Sequence, residues 1–144
     1  MLVDSVDDGD FVFFMRQYDG SGRIVLRGSK VLYTFASYKG YGYEDLVSSE
    51  EEILRFLLDY GVRFVVVEMP DREGTKPGAL LRRLVSTDRF IHRLSVPVVG
   101  SPQGTLLYHL EVFEFPEATA LGKGSLKLRF PGLSPSVVEV PLGK

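Results

Sequence analysis

The 144-residue sequence has no cysteine and no tryptophan, and only two histidines. Without cysteine there is no thiol nucleophile, no thiolate-bound zinc and no disulfide, so cysteine usage says nothing about the redox compartment. Long apolar runs are missing too. The longest, Phe11 to Met15, falls far short of the ~20 residues that a transmembrane helix needs. Neither sign of charge predominates. Seventeen Lys and Arg against nineteen Asp and Glu leave a net charge of −2, which argues against nucleic-acid binding by bulk electrostatics. No secretion signal is expected at the start, because Asp4, Asp7, Asp8 and Asp10 stand where a basic start and an apolar stretch would be.

What is present is ordinary for a globular chain: 44% hydrophobic and 25% charged residues. That excludes a disordered tail, a collagen or a coiled coil. A chain of this size buries roughly two-thirds of its unfolded surface, enough for one core without a disulfide or metal staple. Leu2 and Val3 read as the end of a buried strand with almost nothing before it. The expectation is a piece of a longer protein.

Hydrophobic spacing gives the elements. Phe11, Phe14, Met15 and Tyr18 recur at i, i+3, i+4 and i+7, one face of a helix, with Asp10 as N-cap and Gly20 as its stop. Ile24-Val25-Leu26 reads as a short strand. Val31 to Tyr38 suits either a strand or a short helix. Ser48-Ser49-Glu50-Glu51-Glu52 carries two overlapping capping boxes and acids at the positive end of the helix dipole. Ile53, Phe56, Leu57 and Tyr60 form that helix's buried stripe. Val62 to Val67 is an unbroken strand, suited to burial on both faces of a parallel sheet. Thr75-Lys76-Pro77 opens a third helix with Leu80, Leu81, Leu84 and Val85 on its apolar side.

From Phe90 the period changes to two. Phe90 to Val98 and Thr105 to Phe115 predict an antiparallel hairpin across Gly100 to Gly104. Leu126 to Phe130 and Val137 to Val140 are further strand candidates. There is no internal repeat and no low-complexity tract. The fold expected is α/β: a mixed sheet with a parallel centre flanked by helices, an antiparallel hairpin at one edge and a small C-terminal β appendage. Residues 1–115 would form the α/β domain, and 116–144 a β-rich extension packed on it.

Ligands of open α/β sheets bind beyond the carboxyl ends of the parallel strands. Three charged strand exits can be read off the sequence. Asp4, Ser5, Asp7, Asp8 and Asp10 follow the first strand. Arg27, Gly28, Ser29 and Lys30 follow the second, and Glu68, Met69, Pro70 and Asp71 the third. If the strands are parallel, these groups share one rim. Asp7, Asp10, Arg27, Lys30 and Glu68 are then the candidate ligand-binding residues, with carboxylates opposite a guanidinium and an ammonium for a sugar or a phosphate. The structural reading of the same residues is turn formation, capping of the helix by Asp10, and neutralisation of nearby acids by Arg27 and Lys30.

Other constellations are less specific. Asp7-Asp8-Gly9-Asp10 lacks the calcium-loop pattern, so no metal and no cofactor are expected. His92 and His109 lie on the two predicted hairpin strands, where opposite residues approach to ~5 Å; they suit either pairing across the hairpin or separate places as packed or partly exposed strand residues. No nucleophile elbow or phosphate loop is present. Arg82, Arg83, Arg89 and Arg93 cluster around the third helix, as a solvated face or toward anionic lipid. Tyr38, Tyr41 and Tyr43 suit either stacking on a sugar or covering the sheet edge.

Three stretches, Leu2 to Arg16, Val25 to Tyr33 and Tyr60 to Glu68, resemble the soluble C-terminal extension of multi-spanning bacterial membrane proteins similar to dolichyl-phosphate-mannose–protein mannosyltransferases. The resemblance covers most of residues 1–115. It implies a non-catalytic domain on the extracytoplasmic face of a bacterial membrane. Its partners would be the membrane-embedded portion of the parent protein and a sugar or lipid-linked sugar. The family's catalytic acid lies in the membrane part, so no catalytic residue carries over. The alternatives are a small stand-alone enzyme or binding domain for a phosphorylated or glycosylated small molecule, and an interaction module that pairs through the hairpin edge.

Overall fold

The computed structural model describes residues 1–5, 8–17, 25–34, 43–100, 104–118, 124–129 and 137–142. Its elements run β1 (Leu2–Asp4), α1 (Asp8–Gln17), β2 (Leu26–Arg27), α2 (Gly28–Val31), β3 (Tyr33–Thr34), β4 (Glu44–Asp45), α3 (Glu50–Asp59), β5 (Phe64–Met69), α4 (Lys76–Val85), β6 (Ile91–Gly100), β7 (Thr105–Glu114), β8 (Gly124–Arg129) and β9 (Val137–Leu142). The central sheet has the order β2-β1-β5-β7-β6. Strand β1 pairs in parallel with both β2 and β5, while β7 runs antiparallel to β5 and to β6. The α/β class, the parallel centre and the edge hairpin are as the sequence predicts.

Several local features follow their sequence signals. The Ser49 hydroxyl caps α3 by accepting from the Glu52 N–H at 3.2 Å. The Glu52 carboxylate returns to the Ser48 N–H at 2.6 Å, one residue earlier than in the usual capping box. Those donors hold the Glu52 carboxyl below its ordinary value. Thr75 caps α4, with Pro77 in its first turn.

Other features depart from the expectation. Helix α1 begins at Asp8, so Asp10 lies inside its first turn rather than at the cap. Val31 to Tyr38 divides between the end of α2 and strand β3, with residues 35–38 outside the described residues. The histidines do not pair. His92 lies opposite Phe113, and His109 opposite Pro97. A bulge at Arg93 breaks the alternation, so His92 and Leu94 fall on opposite faces. His92 instead meets Glu111, Nε2 to Oε2, at 2.6 Å. Strands β8 and β9, by contrast, pair as their own antiparallel ribbon, the small C-terminal β appendage that the sequence predicts.

Alternation along the strands divides the core. Leu2, Val65 and Val67 face α3 and α4, packing with Ile53, Leu57, Leu81 and Val85. Val3, Val66, Tyr108, Leu110 and Val112 face the other way and pack with Phe14 of α1. The chain leaves β1 through α1 on one face and leaves β5 through α4 on the opposite face. The two adjacent strands thus mark a switch point, beyond whose carboxyl ends the covering helices diverge.

Candidate functional site

The register Leu2↔Val65, Val3↔Val66 and Val3↔Arg27 aligns the carboxyl ends of β1, β2 and β5 at one edge. The shared rim that the sequence reading required is therefore formed. Alternation splits it into two clusters, one on each face. Asp4 points with Leu2 toward α4, and Ser5 points with Val3 toward α1.

On the α1 side, Ser5 Oγ lies 2.5 Å from Asp10 Oδ2 and 3.0 Å from Glu68 Oε2. The Tyr108 hydroxyl donates to Asp10 Oδ2 at 2.8 Å. Arg72 grips Glu68 twice, from its backbone N–H at 3.1 Å and from Nη2 at 2.9 Å. The Arg72 guanidinium also stacks 3.8 Å above the Tyr108 ring centroid, closing the cluster into a loop of contacts. Glu68 is 1% exposed and Asp10 8%. Burial of such groups is tolerable only with this density of donors.

On the α4 side, Asp4 Oδ2 accepts from Arg82 Nη1 at 3.0 Å. Arg82 Nε donates to the Glu68 carbonyl at 3.0 Å, so this one side chain ties α4 to the ends of both β1 and β5. Tyr33 Oη lies 3.2 Å from Asp4 Oδ1 and 2.6 Å from Glu73 Oε2. Asp71 Oδ2 stands 3.6 Å from Arg82 Nη1. Burial raises the Asp4 carboxyl above its ordinary range, against the lowering by Arg82. Burial likewise pushes the Tyr33 phenol upward, with the Asp4 charge adding to it.

Two glycines make room for Asp4. A Cβ on Gly28 would meet Asp4 Oδ1 at 2.3 Å, and one on Gly78 would meet Thr75 Oγ1 at 2.8 Å and Arg82 Nη1 at 3.0 Å. The backbone of α2 and α4 therefore closes directly onto the carboxylate and its guanidinium partner.

Of the residues singled out from sequence, Asp10 and Glu68 meet through Ser5. Asp7 lies outside the described residues. Arg27 sits on β2 opposite Val3, its guanidinium 5.8 Å from the Phe11 ring centroid, and Lys30 lies on α2. Arg72 and Arg82 grip the rim carboxylates Glu68 and Asp4. Arg82 belongs to the basic cluster around the third helix, whose other members pair off: Arg83 with Glu50, Arg89 with Glu117, and Arg93 with Glu114. Tyr33, Arg72 and Tyr108 also join the rim, with no signal in the sequence for that role. Only the period-two alternation of Val3-Asp4-Ser5 signalled that the first exit serves both faces.

Among the described residues, no group of three or more His, Asp or Glu side chains has an arrangement suited to a metal ion. The described helices include none long and apolar enough to cross a membrane. No protein-family model matches this chain, and no curated protein or solved structure matches it either.

Proposed function

We propose that this chain is a non-catalytic accessory domain whose rim of strand ends recognises a hydroxyl-rich group, such as a sugar, beside the membrane-embedded portion of a glycosyltransferase-like protein. One observation carries the reading. Carboxylates, hydroxyls and a guanidinium from elements far apart in sequence converge at the switch point between β1 and β5. Carboxylates and guanidinium groups are the donors and acceptors that grip vicinal hydroxyls. Arg72, half in solvent over Tyr108, is the group best placed to exchange an internal contact for a ligand. The exposed apolar end of the hairpin, Val99, Leu106 and Leu107, suits contact with the remainder of a larger protein.

The test is a titration of the full chain, followed by backbone amide NMR, with a panel of monosaccharides and a polyprenyl-phosphate sugar in detergent. Binding at the rim shifts the amides of Ser5, Glu68 and Arg72 to Gly74, and Arg72→Ala weakens it. Amides that stay in place up to the solubility limit of every sugar overturn the reading. The runner-up, a small stand-alone enzyme at the same rim, draws on the raised carboxyl of Asp4, since perturbed groups gather at active sites. Turnover of phosphorylated or glycosylated small molecules by the isolated chain, lost on Asp4→Asn, would select it.

A further inference from the structure

Tyr33 Oη sits between two carboxylates, 2.6 Å from Glu73 Oε2 and 3.2 Å from Asp4 Oδ1. A phenol has one proton and donates it to one acceptor at a time. The shorter contact assigns that proton to Glu73. The phenol oxygen then turns its lone pairs toward Asp4 Oδ1, where an ionised carboxylate would set oxygen against oxygen. A proton on Asp4 Oδ1 removes the conflict. Asp4 then donates to Tyr33 and Tyr33 donates to Glu73, while Asp4 Oδ2 still accepts from Arg82 at 3.0 Å. We propose that this two-proton relay is a pH-sensitive latch that ties the β5–α4 loop, residues 70–75, to the end of β1.

The charges around the relay favour the extra proton. Asp4 faces Arg82 from α4, Tyr33 from β3 and Asp71 from the loop, and Glu73 of the same loop stands beyond Tyr33. Helix α2, whose Gly28 abuts the carboxylate, carries Lys30, and Arg27 precedes it. Tyr43, tilted against Tyr33 at 6.0 Å between centroids, faces Glu73 from the residue before β4. With both ends of the relay ionised, Arg82 alone among the groups in direct contact with Asp4 offsets Asp4, Asp71 and Glu73. Burial of Asp4 acts in the same direction by disfavouring its charged form.

The sign follows. A carboxyl raised on folding means that the folded chain binds more protons than the unfolded one between the ordinary and the raised value. The latch is closed below that window and opens as the pH rises through it. It requires no ligand, so it stands or falls independently of sugar recognition at the rim.

The experiment uses the full chain with labelled side-chain carboxyls. Asp4 is assigned by the loss of its signal in Asp4→Asn, and its titration is followed by NMR. Amide exchange of Arg72, Glu73 and Gly74 is measured over the same pH range and corrected for intrinsic rates. The Asp4 signal is expected to titrate above the ordinary carboxyl range, with loop protection lost in step. In Glu73→Gln a neutral neighbour stands beyond Tyr33, and the phenol is released to donate to Asp4. The Asp4 midpoint then falls by about one pH unit. An Asp4 signal that titrates in or below the ordinary range overturns the proposal, in the unsubstituted protein alone. So does a midpoint unmoved by Glu73→Gln, or loop exchange that ignores the Asp4 titration.

Discussion

Gly28→Ala probes how closely the rim is built around Asp4. The added Cβ would stand 2.3 Å from Asp4 Oδ1, 3.0 Å from Cγ and 3.1 Å from Cβ. Regaining ordinary contact requires the carboxylate to withdraw by about 1 Å. Asp4 is 4% exposed, and Arg82 and Tyr33 occupy the space around its oxygens. Overpacking of this kind costs about 1–3 kcal/mol. Disturbing the charge-assisted bond to Arg82 adds about 1.5–3 kcal/mol. Against these, alanine in place of glycine within a helix returns about 0.5–1 kcal/mol. The expected net loss is about 3 kcal/mol, or a fall in Tm of about 6–12 °C for a chain of this size. Urea unfolding and thermal melting followed by circular dichroism would read it. In an Asp4→Ser background the obstruction is shorter, and the penalty of Gly28→Ala should shrink by at least half. Gly74→Ala is the control. Its φ is +66°, and nothing lies within 4 Å of the added atom, so only backbone strain of about 1–2 kcal/mol is expected. An unchanged or raised midpoint for Gly28→Ala refutes the close packing of the carboxylate on α2. Strict additivity with Asp4→Ser refutes it equally.

Arg82→Leu strands the buried Asp4 without its guanidinium, and about 3–5 kcal/mol of stability should be lost. The loss should be larger at pH 8 than at pH 5, because only the ionised carboxyl is stranded; a loss independent of pH contradicts the pairing. Glu114 is held below the ordinary carboxyl range by hydrogen bonds from Arg63 and Arg93. A lowered folded value contributes stability above the unfolded value that disappears as the pH falls through the folded one. Glu114→Gln should therefore melt earlier than the unsubstituted protein at neutral pH and converge with it in acid. A gap that widens on acidification would contradict that account.

The exposed edge of β6 does not favour the reading of a module that pairs strand to strand. Bulges near Arg93 and at Val98/Val99 interrupt its register, and Pro97 lacks an N–H to offer a neighbour. These are the devices by which edge strands resist pairing. The sequence displayed a long alternating hairpin and its proline. It did not display the bulges, because an extra residue on one strand is defined only against its partner.

The legible part of this protein is the part set by near neighbours in sequence. The Ser49 and Thr75 caps, the apolar stripes of α3 and α4, the unbroken β5 and the period-two hairpin all depend on contacts within a few residues. The chain states them directly. The rim depends on distance. Asp4 meets Arg82 from 78 positions away, Tyr108 meets Asp10 from 98, and Tyr33 meets Glu73 from 40. Three charged exits were visible from composition, but which acid meets which base was not. Coulomb attraction and hydrogen bonding act between groups that folding has already brought close, and the sheet order β2-β1-β5 with helices on opposite faces does the bringing. The sequence settled on its own that there would be a polar edge. Tertiary packing alone decided that Arg72 and Arg82 close that edge, that Asp4 and Ser5 serve opposite faces, and that one tyrosine stands between two acids.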